Sequence, residues 1–283
     1  MQDAPASLLS VVIPMYRESA RIVRTLRDAI ETLETRSQPS EIVLVDDGSP
    51  DDTVSVVKPF LTDTADGPIQ RITLVRFERN RGKGAAVRAG LAEARGQWRL
   101  MMDADNAARV TEVDKLLAHA SGNTGIVAGS RSMPESVVSA KGSRRLTGLI
   151  FKTALLGLGL RLARDTQCGF KLYRADVAEA IATHGIEDRF AFDIEHLLLA
   201  QKLGTAVREV GIRWTHIDGG QINPVVDGLK MLVQAAKIRL RDYGDPALPD
   251  RDKPAAQVEP KPEPKPETKP ATQSAGVPAS QRL

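Results

Sequence analysis

Apolar runs of strand length that alternate with stretches of helical periodicity constrain this chain more than any other feature. Leu8–Ile13, Glu41–Val45, Ile72–Val75, Gln97–Met102 and Ile126–Ala128 are the strand candidates. Ala20–Thr35 carries Ile22, Leu26, Ala29, Ile30 and Leu33 at helical spacing, and Gly84–Ala94 repeats the pattern before stopping at Gly96. Strands that are apolar on both faces need cover on both faces. The order β-α-β-α-β therefore predicts an α/β fold with a mostly parallel sheet flanked by helices on both faces. In such sheets ligands bind beyond the carboxyl ends of the strands. The first strand runs into Pro14-Met15-Tyr16-Arg17-Glu18, the second into Asp46-Asp47-Gly48-Ser49, and the fourth into Asp103-Ala104-Asp105. Three polar turns converge on one rim.

The chemistry of that rim centres on Asp103 and Asp105. Two carboxylates one residue apart, directly after the apolar run Trp98-Arg99-Leu100-Met101-Met102, can hold a divalent metal. Oxygen ligands suit Mg²⁺ or Mn²⁺, which keep sites for water and for diphosphate oxygens. Each turn also has a plainer reading. An Asp pair can cap a helix or make a turn, and Asp46 to Thr53 can be a turn before a capped helix. Pro14 and Tyr16 can be a strand stop and a packing aromatic. Asn80-Arg81-Gly82-Lys83-Gly84 can be a loop with a helix start, and it lacks the spacing of a Walker phosphate loop.

With 42% hydrophobic residues the chain can bury a sizeable core. The composition changes near Gly244. Nine of the seventeen prolines follow it and no aromatic residue does, with the repeated step Glu259-Pro260-Lys261-Pro262, Glu263-Pro264-Lys265-Pro266. Such a sequence favours extended polyproline II and supplies no core, so residues 1–244 are expected to form one domain and 245–283 a disordered Pro-rich tail. Acidic and basic residues cancel in the tail, which leaves the net charge of +3 to the folded part. That excess is too small to suggest a nucleic-acid partner. A single cysteine, Cys168, excludes an internal disulfide and reads as packed. The amino terminus lacks the basic region and apolar stretch of a signal peptide, so the cytosol is the expected compartment. Leu146 to Leu162 is the longest apolar region, but Lys152, Arg161 and three glycines interrupt it, short of the roughly 20 clean residues a spanning helix needs.

Taken together and in order, Val12 to Glu18, Leu44 to Thr53, Asn80 to Arg88 and Met102 to Asp105 resemble the motifs of the GT-A type family 2 glycosyltransferases. The resemblance runs from about Ser10 to Tyr243. Within that family Asp165 to Tyr173, Phe190-Ala191-Phe192-Asp193-Ile194-Glu195 and Ile212-Arg213-Trp214 look most like dolichyl-phosphate glucosyltransferases and polyprenyl-phosphate relatives. The resemblance implies a GT-A (Rossmann-like) fold and a UDP-sugar donor. It puts Pro14, Tyr16 and Glu18 beside the base and ribose, Asp46 or Asp47 on the uracil N–H, and Lys83 or Arg88 toward the diphosphate. Asp105 would be the direct metal ligand, with Asp103 on the ribose or a metal-bound water and Ala104 against the nucleotide-sugar. Related mannosyltransferases carry a Gln where this chain has Ala107; Asn106 is the neighbouring candidate for a third ligand.

For the acceptor, Arg131, Arg144, Arg145 and Lys171, the last read in a Gly169-Phe170-Lys171 turn, are the candidate cations, because guanidinium matches phosphate oxygens in a bidentate way. Solvated surface arginines are the plainer alternative. A phosphate acceptor is already ionised at neutral pH and needs no strong base. Asp193 and Glu195, in a strand-like pattern or at a helix start, can position the acceptor, with Asp193 the candidate for a catalytic role. Two basic amphipathic segments, Leu146 to Arg161 and Leu229 to Arg241, fit a peripheral enzyme on the inner face of a membrane, although core-facing helices share that pattern.

His119, His184, His196 and His216 show no zinc spacing, and no Gly-x-Ser-x-Gly elbow is present. The processive synthases' Gln-x-x-Arg-Trp has Val210 at the Gln position, which favours transfer of one sugar. The expected activity is thus inverting, metal-dependent transfer of a hexose, glucose first, from a UDP-sugar to a polyprenyl (dolichyl-type) phosphate. GDP-mannose stays open as donor. The alternatives are a soluble family 2 enzyme with a non-lipid acceptor and a nucleotide-sugar-binding protein without catalysis.

Overall fold

The computed structural model describes residues 8–64, 67–139, 153–217, 224–244 and 246–248. Its first half runs β1 (Leu9–Met15), α1 (Ile22–Glu34), β2 (Ser40–Asp46), α2 (Thr53–Val57), β3 (Thr62–Asp63), β4 (Ile69–Arg76), α3 (Lys83–Glu93) and β5 (Trp98–Met102). Then follow α4 (Val113–Leu117), β6 (Thr124–Ser130), β7 (Val137–Ser139), β8 (Phe170–Arg174), α5 (Ala175–His184), α6 (Phe192–Lys202), β9 (Ala206–Gly211), β10 (Arg213–Thr215) and α7 (Pro224–Leu240). The expected tail lies outside the described residues, apart from 246–248.

Eight strands form one sheet in the order β3-β4-β2-β1-β5-β8-β6-β9. β4, β2, β1 and β5 are parallel. β8 runs antiparallel between β5 and β6, so β6 points the same way as β5. β7 and β10 make a separate two-stranded ribbon.

The central strands are apolar on both faces because each face has its own helical cover. Leu9, Val11, Ile13 and Met15 of β1, with Ile42 and Leu44 of β2 and Leu100 and Met102 of β5, join the core under α1, where Ile22, Leu26, Ala29 and Leu33 repeat along one helix face. The intervening Val12, Val43, Val45 and Met101 point to the opposite core, built with Ala86, Val87 and Leu91 of α3 and residues of α5 and α6. Each such buried aliphatic side chain contributes about 1.5–3 kcal/mol. A third core packs Leu155 and Leu160 against Ile194 of α6 and Ala235 and Ile238 of α7.

This arrangement corrects one expectation. Lys171 lies inside β8, not in a turn: its neighbours in the sheet are Met101 of β5 and Ala128 of β6. A lysine in mid-strand breaks the apolar run that marks a strand in sequence, and only pairing on both sides reveals one. The carboxyl ends of β1, β2, β4, β5 and β6 and the start of β8 share one rim, and the polar turns meet there.

Candidate active site

Asp103 and Asp105 leave the end of β5 half-buried. The Asp103 amide donates to Gly169 O at 3.1 Å, which ties the turn to the start of β8. Glycine leaves room for the Asp103 carboxylate in this position, since a Cβ at 169 would lie 2.0 Å from it. Lys83, the first residue of α3, donates from Nζ to Asp103 Oδ1 at 2.5 Å. Burial works against the Lys83 ammonium, but the carboxylates of Asp103, Asp193 and Asp105 outweigh it and hold its pKa above the ordinary lysine range. Asp105 carries an opposite strain. Burial and the neighbouring Asp103 carboxylate raise its pKa, despite a 3.0 Å hydrogen bond from the Ala107 amide.

Glu18 faces the same charges. Burial raises its pKa first, the carboxylates of Asp105 and Asp103 add to the rise, and its ion pair with Arg21 at 2.9 Å opposes it. The site thus holds three carboxylates near one another, with Lys83 and Arg21 as the cations paired to two of them. Among the described residues no three His, Cys, Asp or Glu side chains are placed to hold a metal on their own. Asp103 and Asp105 fit a Mg²⁺ or Mn²⁺ that shares its coordination with phosphate oxygens and water. Asn106, with a left-handed backbone (φ 62°), donates its side-chain NH₂ to Asp28 Oδ2 of α1 at 2.6 Å, while its buried Oδ1 has no hydrogen-bond partner among the described residues.

The aspartates at the end of β2 bond to the protein itself. Asp46 is buried and accepts the Ser49 amide, closing the turn. Asp47 takes the Arg81 and Gly82 amides and the Asn80 side chain at 2.6–3.2 Å, fastening the loop before α3 to the end of β2. Burial raises the Asp47 pKa, against those hydrogen bonds. Pro14 is buried in β1, whereas Tyr16 is exposed with the Arg17 guanidinium 5.4 Å from its ring centre. Ala104 is buried, and its carbonyl accepts Thr25 Oγ1 of α1 at 2.7 Å.

On the other side of Lys83 lies Asp193, in the first turn of α6 and buried. Lys171 is fully buried and donates from Nζ to Asp193 Oδ1 at 2.5 Å, Cys168 O at 2.7 Å and Thr166 O at 3.1 Å. All three of its N–H groups are used, so it holds Asp193 and the 166–168 segment and does not reach toward a phosphate. Charges therefore alternate through Asp103, Lys83, Asp193 and Lys171. Cys168 is packed as expected: burial and then the Asp165 carboxylate push its thiol up to about 12, which makes it a poor nucleophile.

Arg131 follows β6. Its guanidinium pairs with both carboxylate oxygens of Asp165 at 2.8 Å and lies 5.3 Å from the Trp214 ring centre. Burial alone would raise the Asp165 pKa, but Arg131 holds it below the usual carboxylate range. Arg88 donates to Glu187 O and pairs with Asp188, so it serves the loop before α6 and not the rim. Arg144 and Arg145 lie outside the described residues. Sequence reasoning had no role for Gly169 or Asp165, although both sit in the quoted stretch Asp165 to Tyr173; the glycine beside a strand start was the available signal.

Comparison with known proteins agrees with this geometry. Residues 10–182 match Glycosyl transferase family 2. The chain belongs to that family. It is 36% identical over 245 residues to the dolichyl-phosphate beta-glucosyltransferase of Dictyostelium discoideum, covering 82% of this chain and 74% of that one. To the enzyme of that name from Homo sapiens it is 34% identical over 252 residues, 84% and 77% of the two chains. Among solved structures, glucosyl-3-phosphoglycerate synthase of Mycobacterium tuberculosis with bound UDP aligns at a TM-score of 0.61 and 20% identity, over 87% of this chain and 82% of that one. The same enzyme with Mn²⁺, UDP and glucosyl-3-phosphoglycerate gives 0.60 at 20% identity, over 83% and 79%. The fold of this glycosyltransferase is GT-A.

Proposed function

We propose that this glycosyltransferase moves glucose from UDP-glucose to a polyprenyl (dolichyl-type) phosphate, with inversion at the anomeric carbon and with Mg²⁺ or Mn²⁺. One observation carries the reading: Asp103, Asp105 and Lys83 share a rim with the turns after β1 and β2, and Arg131 follows β6 on that rim. The names of the similar enzymes supply the sugar and the lipid. A bound divalent ion would supply positive charge against the departing diphosphate.

The chain's own groups would do the rest. Pro14 and Tyr16 flank the base, and the turn held by Asp46 and Asp47 borders it. Lys83 leaves Asp103 to meet the diphosphate. Arg131, kept flat by Asp165 and Trp214, orients the acceptor phosphate. A phosphate oxygen attacks the anomeric carbon in line, a new C–O bond forms, and the bond to UDP breaks with its electron pair going to the β-phosphate oxygen. Asp193, anchored by Lys171, acts through Lys83 and is a positioning residue.

The lipid acceptor calls for a membrane surface. No helix among the described residues is long and apolar enough to cross a membrane. Leu229, Val233 and Leu240 of α7 are 65%, 51% and 85% exposed, and Lys230, Lys237 and Arg239 lie on the same helix. These fit peripheral contact with anionic lipid on the cytoplasmic face. Under the soluble alternative the enzyme stays off vesicles containing such lipid.

The reading is tested by transfer of radiolabel from UDP-glucose to a short polyprenyl phosphate with Mn²⁺, with and without chelator. Metal-dependent labelling supports it; UDP binding without lipid labelling sinks the acceptor half.

Three further outcomes are expected. Gly169→Ala pushes the Asp103 carboxylate aside, and since a side chain can yield, the fold should survive while transfer falls about 10²-fold; unchanged turnover would count against Asp103. A protonated Asp105 cannot ligate. Because its pKa is raised, Mn²⁺ binding should release more protons as pH falls from neutral to mildly acid, and calorimetry in buffers of different ionisation heat should see that release shrink in Asp105→Asn. Shortening the chain after Asp245 should leave transfer intact if the Pro-rich tail is only a linker; loss of purified-enzyme activity would overturn that.

A further inference from the structure

Glu195 joins two parts of the chain that are distant in sequence. Its side chain is fully buried. Oε2 accepts the Ile186 and Glu187 amides at 2.9 and 2.8 Å, and Oε1 accepts the Tyr243 hydroxyl at 2.7 Å and Arg241 Nη1 at 3.3 Å. Four donors on one buried carboxylate fix both segments, since losing any partner leaves charge uncompensated. On α6, Glu195 lies two residues from Asp193, so the two carboxylates do not share a face.

The loop that Glu195 holds caps the start of α3. Asp188 O accepts the Gly84 and Ala85 amides at 2.8 and 3.3 Å, and Glu187 O accepts Arg88 Nη1 at 2.6 Å. There is no slack in this contact. A Cβ on Gly84 would come within 2.2 Å of Glu187 O. A shift of the loop therefore moves the amino end of α3, and with it Lys83, whose ammonium meets Asp103 at 2.5 Å.

We propose that Glu195 and Tyr243 are positioning residues for Lys83, so that the segment 241–243 after α7 serves the donor side of the site without touching the donor. This rests on the donor reading above. It extends the functional part of the chain past α7, the helix whose exposed apolar residues are proposed to meet lipid. The geometry predicts a link from Tyr243 through Glu195, the 186–188 loop and α3 to Asp103.

Tyr243→Phe in the full chain tests it, because the ring is kept and only the hydroxyl is lost. Affinity for UDP with Mn²⁺, measured by calorimetry, should fall about threefold to tenfold, the size of coupling within one hydrogen-bond network. In a Lys83→Met background the same substitution should cost nothing further. Equal losses in both backgrounds would mean general loosening and overturn the proposal, as would no loss in the wild-type background. Hydrogen exchange gives a readout without ligand: the Gly84 and Ala85 amides should exchange faster in Tyr243→Phe, and unchanged exchange would overturn the link. If the wild type binds no UDP, the donor reading falls, and the exchange result alone decides whether Tyr243 reaches α3.

Discussion

Asp105→Ala is expected to lower transfer about 10³-fold, because a metal that offsets charge on the leaving group contributes several kcal/mol to the transition state, and each 1.4 kcal/mol is about tenfold. The folded state should not suffer. Burial and Asp103 both oppose ionisation of Asp105, which means that its charge is held at a cost to the fold. Removing it relieves that cost, so the midpoint of thermal unfolding should stay level or rise. Activity loss with preserved stability is the mark of a residue kept for binding. The measurement is initial-rate transfer at saturating Mn²⁺ beside a thermal melt. Near-wild-type turnover would remove Asp105 from the metal site, and a collapsed melting temperature would make the loss structural.

Lys171→Met should destabilise the protein by about 3–5 kcal/mol, the usual result of deleting one member of a buried ion pair. The methionine fills similar volume, but Asp193 is left as a buried carboxylate, and the carbonyls of Thr166 and Cys168 lose their donor. Burial already raises the Asp193 pKa, against the Lys171 charge. Without Lys171 it rises further, so the folded state then binds a proton more tightly than the unfolded one. The sign follows directly: the deficit is fullest at neutral pH and shrinks as pH falls through the folded pKa of Asp193. A second substitution, Asp193→Asn, should recover part of the loss. Urea denaturation of the two variants at neutral and mildly acid pH checks both points. A deficit that grew toward acid pH would mean that the pair is not the cause.

The positions of the residues proposed for the donor were readable because they follow strands in order. A strand end followed by Asp46-Asp47 or Asp103-Ala104-Asp105 announces its position, since apolar runs locate strands and parallel topology gathers their carboxyl ends. What the carboxylates touch was not readable. Asp47 looked like a group for the base and instead ties Asn80, Arg81 and Gly82 to β2. Arg88 looked like a diphosphate ligand and instead bonds the 187–188 loop, about 100 residues away in sequence. A cation in a sequence carries no sign of which carboxylate it will find, because ion pairs between distant segments follow from how the helices dock.

The residues proposed for the acceptor side show the same division more sharply. Phe192 to Glu195 is compatible with either a strand or a helix start when read alone, and docking against β8 makes it a helix whose two carboxylates part company. Asp193 goes to Lys171 and Glu195 to Tyr243. The amino-acid sequence by itself determined the α/β layers, the rim and the Asp103–Asp105 pair, because hydrophobic periodicity and strand order are local properties of the chain. Tertiary structure decided that Lys171 is a buried anchor, that Gly169 makes room for Asp103, and that Arg131 lies between Asp165 and Trp214. Each of these depends on the distance between segments that only the closed sheet and its docked helices bring within hydrogen-bonding reach.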